Sequence, residues 1–168
     1  MKIKFTNYDE GIHHFDFLED VNDLNLEERF FGELKINCKM DKSHHQIIIG
    51  CDLEFDIKLT CDRCTSEFER TNSEHFQSIY FTTYENEDVS NDDPGIHFLS
   101  PNEDTIDILN DVSETMNLSV PMKVLCTAEC KGLCSVCGQN MNELDCKCDT
   151  NIENPVWEKL KKIKKNLN

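Results

Sequence analysis

Eight clustered cysteines constrain this chain more than any other feature. They stand as Cys61 and Cys64, Cys126 and Cys130, Cys134 and Cys137, and Cys146 and Cys148, out of ten cysteines in 168 residues. Thiols two to four residues apart do not readily bridge to each other, but they can converge on one metal ion. Cys-x2-Cys is the spacing at which a tight turn aims two sulfurs at one tetrahedral centre. Eight such ligands make two four-cysteine sites, so the expected cofactor is zinc, two ions per chain. Cys134, Cys137, Cys146 and Cys148 lie close enough in sequence to form a local site, with Gly138 supplying backbone freedom behind Cys137. By elimination Cys61, Cys64, Cys126 and Cys130 form the other, a long-range staple between a β-sheet and a C-terminal module.

Other chemistries for these thiols fit less well. The spacings differ from the bacterial ferredoxin run. A catalytic zinc keeps a coordination position open and recruits histidine or carboxylate, yet His13, His14, His44, His45, His75 and His97 all lie away from the cysteine pairs. A redox role for Cys61 and Cys64 lacks the βα setting of thioredoxin-like folds. No phosphate-binding glycine loop, serine nucleophile motif or metalloprotease motif is present, so no enzyme activity is expected and no small-molecule substrate.

The opening Met1–Glu10 has no apolar run, and nothing later approaches the roughly 20 apolar residues of a membrane span. The expected location is the cytoplasm, a reducing compartment where paired cysteines are rarely disulfides. Net charge is −16, unevenly spread: no Lys or Arg lies between Arg70 and Lys123, while Glu85, Glu87, Asp88, Asp92, Asp93, Glu103, Asp104, Asp107, Asp111 and Glu114 do. Residues 155–168 reverse the sign with Lys159, Lys161, Lys162, Lys164 and Lys165. A body of this charge repels phosphate backbones and attracts basic partners. The plainer reading of the acidic residues is a solvated face.

Hydrophobic periodicity gives the elements. Leu34, Ile36, Cys38 and Met40 alternate with polar residues over 33–40, and Ile47, Ile49, Cys51, Leu53, Phe55, Ile57 and Leu59 do so over 47–59. Period two predicts half-buried strands, joined by a hairpin at Asp41–His44. Cys38 and Cys51 fall on the apolar faces and read as small buried hydrophobes. Residues 67–82 predict a further strand, and the segment around Ile3, Phe5, Ile12, Phe15 and Phe17 one or two more. An acidic loop follows over 84–102. Ile108, Leu109, Val112 and Met116 predict a helix over 105–118, with Asp104 or Thr105 as N-cap. Asn154-Pro155 opens a basic helix over 155–167 with a Val156, Leu160, Ile163 and Leu167 stripe. The fold class is α+β: an antiparallel sheet domain over 1–120 with one or two packed helices, and a cysteine-rich zinc module over 121–168.

Three motifs stand in order: Leu59-Thr-Cys-Asp-Arg-Cys64 after an alternating strand, a helix running into Val120-Pro-Met122, and Cys130-Lys-Gly-Leu-Cys-Ser-Val-Cys-Gly-Gln-Asn140 with Asn142. This ordered set resembles the YceD family of large ribosomal RNA subunit accumulation proteins. Ser135 stands where the family pattern has Pro. The resemblance implies a role in the accumulation of large-subunit ribosomal RNA; the acidic body favours a basic ribosomal protein or assembly factor as partner, with the C-terminal end touching precursor RNA. The basic tail lysines at 159, 161, 162, 164 and 165, then Lys123, Lys131 and Lys147, are the candidate RNA contacts, since direct RNA binding needs positive charge. The rival readings are a thiol-redox protein centred on Cys61 and Cys64, and a zinc-stabilised interaction module outside ribosome assembly.

Overall fold

The computed structural model describes residues 1–24, 26–82 and 95–148. Its elements are β1 (Lys2–Ile3), β2 (Gly11–Asp20), β3 (Phe30–Lys42), β4 (Gln46–Thr60), β5 (Glu67–Phe81), β6 (Ile96–Phe98), β7 (Ile106–Asp107) and the helix α1 (Leu109–Leu118), with two short 3-10 turns near the start. Among the described residues the protein is mostly β, with one α-helix. The helix expected over 155–167 and its five lysines lie outside the described residues, as does much of the acidic stretch.

The main sheet has the order β2-β3-β4-β5-β6. Strands β2, β3 and β4 pair antiparallel, and β6 joins β5 in parallel. Strict alternation makes β3 and β4 long, and the structure uses it as expected: Leu34, Ile36, Met40, Ile47, Ile49, Leu53, Phe55 and Ile57 are all buried. Each such side chain contributes about 1.5–3 kcal/mol relative to exposure. Both strands run a few residues past their clearest alternation, and the hairpin tip shrinks to Ser43–His45.

Two expectations are corrected here. Cys38 and Cys51 are cross-strand partners, and they form a disulfide rather than packing as free thiols. Equal offset from the hairpin places them directly opposite on one face, a relation that apolar patterning alone does not reveal. The helix begins at Leu109, not near residue 105. The missing turn is spent on a small ladder: Ile106 and Asp107 pair with Ile3 and Lys2, the Met1 amine binds Asp107 Oδ1 at 3.2 Å, and Ile108 N–H donates to the Met1 carbonyl. Neither Asp104 nor Thr105 caps the helix; Asp107 Oδ1 accepts the Leu109 N–H at 3.1 Å instead.

Helix α1 turns Val112 and Met116 into the core. Asp111 Oδ2 accepts hydrogen bonds from Ser78 Oγ at 2.9 Å and Tyr80 Oη at 3.0 Å, tying the helix to β5. Burial and the Asp111 carboxylate push the Tyr80 phenol above the usual tyrosine range.

The chain divides into two compact units, Met1–Leu59 with Phe68–Lys123, and Thr60–Glu67 with the segment that begins at Val124. Residues 60–67, which the sequence alone groups with the sheet, fold in the second unit.

Candidate metal centres

The second unit is built from turns. Strand β4 ends at Thr60 and β5 begins at Glu67, so Cys61 and Cys64 occupy the connection. Cys61 N–H donates to the Ser66 carbonyl at 2.9 Å, and Thr65 N–H to the Cys61 carbonyl at 2.9 Å. The pair at Cys134 and Cys137 repeats this geometry: Cys134 N–H donates to the Gln139 carbonyl at 2.8 Å, and Gly138 N–H to the Cys134 carbonyl at 2.9 Å. In both knuckles the residue after the second cysteine takes positive φ, 57° at Thr65 and 74° at Gly138. One turn thus aims two sulfurs the same way twice, once with glycine and once with a β-branched residue that rarely adopts this conformation.

Charged side chains of the first knuckle fetch its distant partners. Asp62 N–H donates to the Val124 carbonyl at 2.9 Å, and Val124 N–H returns a bond to Asp62 Oδ2 at 2.6 Å. Arg63 donates to the Cys130 carbonyl at 2.9 Å, and its own carbonyl accepts the Leu133 N–H at 3.0 Å. Cys61, Cys64, Cys126 and Cys130 are thereby brought together, as are Cys134, Cys137, Cys146 and Cys148; within each group all four sulfurs lie within 4.8 Å of one another. The grouping expected from sequence is the grouping observed. Among the described residues no histidine or carboxylate joins either group.

The distances fit a tetrahedral ion. Four sulfurs each about 2.3 Å from zinc stand about 3.8 Å apart, and Cys61 to Cys130 is 3.8 Å and Cys64 to Cys126 is 3.7 Å. The protonation pattern makes the same demand. Burial opposes ionisation of Cys61, but backbone N–H groups of Cys126, Cys64 and Arg63 outweigh it and bring the thiol down to about 6. Backbone N–H groups of Cys137 and Val136 bring Cys134 down to about 6 as well. Cys126 is pushed up to about 12 by burial and the neighbouring thiols, and Cys148 to about 12 by Cys137 and burial. The first group lowers Cys61 and Cys64 but raises Cys126, and the second lowers Cys134 but raises Cys146 and Cys148, because like charges crowd a small volume. A divalent cation removes that repulsion. The eight cysteines therefore form two four-thiol groups that can each hold a metal ion.

Sequence reasoning has Asn140 and Asn142 only as residues of the family pattern and missed what they do around the sulfurs. Asn142 Nδ2 donates to Cys130 Sγ at 3.3 Å, and its Oδ1 accepts the Lys131 N–H at 2.8 Å. Asn140 Oδ1 accepts from Asn142 Nδ2 at 2.8 Å and from Asn142 N–H at 3.0 Å. Asn140 Nδ2 in turn donates to Ser66 Oγ at 3.2 Å. The available signal was two asparagines one residue apart between the last two cysteine pairs, in a stretch with no strand or helix pattern to explain them.

Residues 49–164 match the family described as Large ribosomal RNA subunit accumulation protein YceD. The chain belongs to the YceD family. The Large ribosomal RNA subunit accumulation protein YCED homolog 1, chloroplastic, of Arabidopsis thaliana is 34% identical over 53 residues, which cover 32% of this chain and 16% of that protein. No solved structure matches the chain. The YceD match takes in both cysteine groups whole. Among the described residues no helix is long and apolar enough to cross a membrane.

Proposed function

We propose that this chain is a non-enzymatic factor, held in shape by two zinc ions, that acts in the accumulation of large-subunit ribosomal RNA. One observation carries the metal half of this reading. Among the described residues of the second unit, the buried apolar side chains are Cys61, Cys64, Cys130 and Cys134, while Leu133, Val136 and Leu144 are exposed. These described residues have no hydrocarbon core and need another source of order, and bound metal supplies it directly as folding free energy. The ribosomal half rests on membership of the YceD family.

Charge favours a basic protein as the direct partner. The chain carries −16, and on the open face of the sheet Asp16, Asp41, Asp52, Glu54 and Asp56 outnumber Lys35, Lys39 and Lys58. A ribosomal protein or assembly factor rich in lysine and arginine suits such a surface, with the lysine-rich end of the chain reaching precursor RNA. The eight unpaired thiols fit a reducing compartment such as the cytoplasm, whereas the Cys38–Cys51 disulfide points to a more oxidising one.

A thiol-redox role has one point in its favour, the lowered Cys61 and Cys64 thiols. Against it, Cys61 is 1% and Cys64 3% exposed, and reactive cysteines need access as well as a thiolate.

The test is affinity purification of the full chain at low salt, with protein and RNA partners identified together, alongside changing Lys159, Lys161, Lys162, Lys164 and Lys165 to Glu. RNA capture should fall and its salt dependence flatten, because each phosphate contact adds about 0.7–0.9 to the log–log slope. Unchanged RNA capture in that variant would shift attention to Lys123, Lys131 and Lys147. Recovery of no large-subunit component at all would overturn the ribosomal reading.

A further inference from the structure

The connector inside the second cysteine group does chemistry for the first. Residues 138–145 join Cys137 to Cys146, so an ion held by that group would anchor both ends of the connector. On this connector sits Asn142, whose side-chain amide donates to Cys130 Sγ at 3.3 Å, although Cys130 belongs to the other group. The same side chain accepts the Lys131 N–H at 2.8 Å and so fixes the backbone directly after Cys130. Asn140 orients the amide by accepting from Asn142 twice, and its own amide reaches Ser66 Oγ, two residues beyond Cys64.

We propose that Asn142, oriented by Asn140, couples the two metal centres, so that an ion in the second group tightens binding of an ion in the first. This rests on the reading that both groups bind metal. The physical basis is charge. Four thiolates around a divalent ion leave a net −2, and an N–H donated to one sulfur stabilises that anion. Partners of this kind outside the ligand set typically change metal affinity 10–100-fold. An ion in the second group anchors Cys137 and Cys146 and thus holds the donor in place. By linkage, an ion in the first group fixes Cys130 and must favour the second site by the same factor.

The test uses the full reduced chain, stripped of metal and titrated with Zn2+, with the populations holding zero, one and two ions counted by native mass spectrometry. Affinity comes from competition with a chromophoric chelator. The wild type should pass from none to two with the one-ion species under-represented. Asn142→Ala should restore the statistical distribution and weaken the first site about tenfold or more. Asn142→Asp is the sharper variant: it keeps the size and the acceptor for Lys131 N–H but cannot donate to sulfur, so it should behave like Asn142→Ala or worse. In a Cys148→Ser background, which disables the second group, Asn142→Ala should cost much less than in the wild type. Wild-type behaviour of Asn142→Asp would reduce Asn142 to a purely structural role and overturn the proposal. Independent filling of two sites by the wild type would do the same. A wild type that binds fewer than two ions refutes the metal reading itself, which is a different failure.

Discussion

At the scale of single residues, two glycines of the second unit separate the cost of backbone conformation from that of a close contact. Gly132 and Gly138 both have positive φ, 79° and 74°. An added Cβ at Gly138 meets nothing within 4 Å, whereas at Gly132 it would lie 3.0 Å from the Arg63 carbonyl oxygen. Gly138→Ala should therefore cost only the left-handed penalty, about 1–2 kcal/mol. Gly132→Ala should cost more, because it also presses on the carbonyl that accepts the Leu133 N–H. Chelator-induced unfolding of the two variants, compared side by side, gives the order; the reverse order would show that the Arg63 contact yields freely. Tyr80 offers a second test. The residue is 5% exposed and its phenol donates to the Asp111 carboxylate, so the folded state holds that proton more tightly than the unfolded chain. The stability this gives is fully present below the ordinary tyrosine value near 10 and is lost as pH rises through the higher native value. Absorbance titration at 295 nm should show one phenol that ionises late or only on unfolding, absent in Tyr80→Phe. That variant should lose about 1–2 kcal/mol at neutral pH.

Elements differ in how openly the sequence declares them. Strands β3 and β4 were legible because each has one face in the core and one outside, which writes period two into the residues. Phe55 is typical: it is 1% exposed and meets Phe30 edge-on at 5.6 Å between ring centroids. Phe55→Ala should cost about 3–5 kcal/mol, read as a shift in the denaturation of the sheet; a loss under 1 kcal/mol would mean that the core collapses to fill the space. The cysteine groups were legible for a similar reason, since a ligand set leaves a fixed spacing. What stayed hidden was set by partners far away in the chain. Residues 105–108 have a helical pattern, yet Ile3 and the chain terminus claim them for a strand pair, and local propensity loses to that pairing. The disulfide at Cys38 and Cys51 required the register of the hairpin, which alternation alone does not give. Asp62, Arg63, Asn140 and Asn142 carry polar contacts, and polar residues in turns have no periodicity to betray them.

For the whole molecule, the division into two units separates two sources of stability. The first buries Leu34, Ile36, Met40, Ile47, Ile49, Leu53, Phe55, Ile57, Ile106, Ile108, Val112 and Met116, a hydrocarbon core that owes nothing to metal. The second, among its described residues, buries cysteines and little else, so its order should vanish with the ion. Stripping zinc with a strong chelator under reducing conditions should leave the amides of β3 and β4 protected from hydrogen exchange and release those of residues 60–67 and 124–148. Single ligand changes refine this. Cys64→Ser removes a sulfur from the group that spans both segments of the second unit and should loosen residues 60–67 together with 124–133. Cys137→Ser strikes the local group, so its direct effect should centre on 134–148, with a weaker loosening around Cys130 where Asn142 donates its hydrogen bond. Metal analysis should find two zinc ions in the wild type and about one in each variant. The sheet should stay folded in both, because its buried side chains form a hydrocarbon core of their own. Loss of protection in β3 and β4 on chelation would mean that the hydrocarbon core is insufficient by itself, and the two-source account would fall.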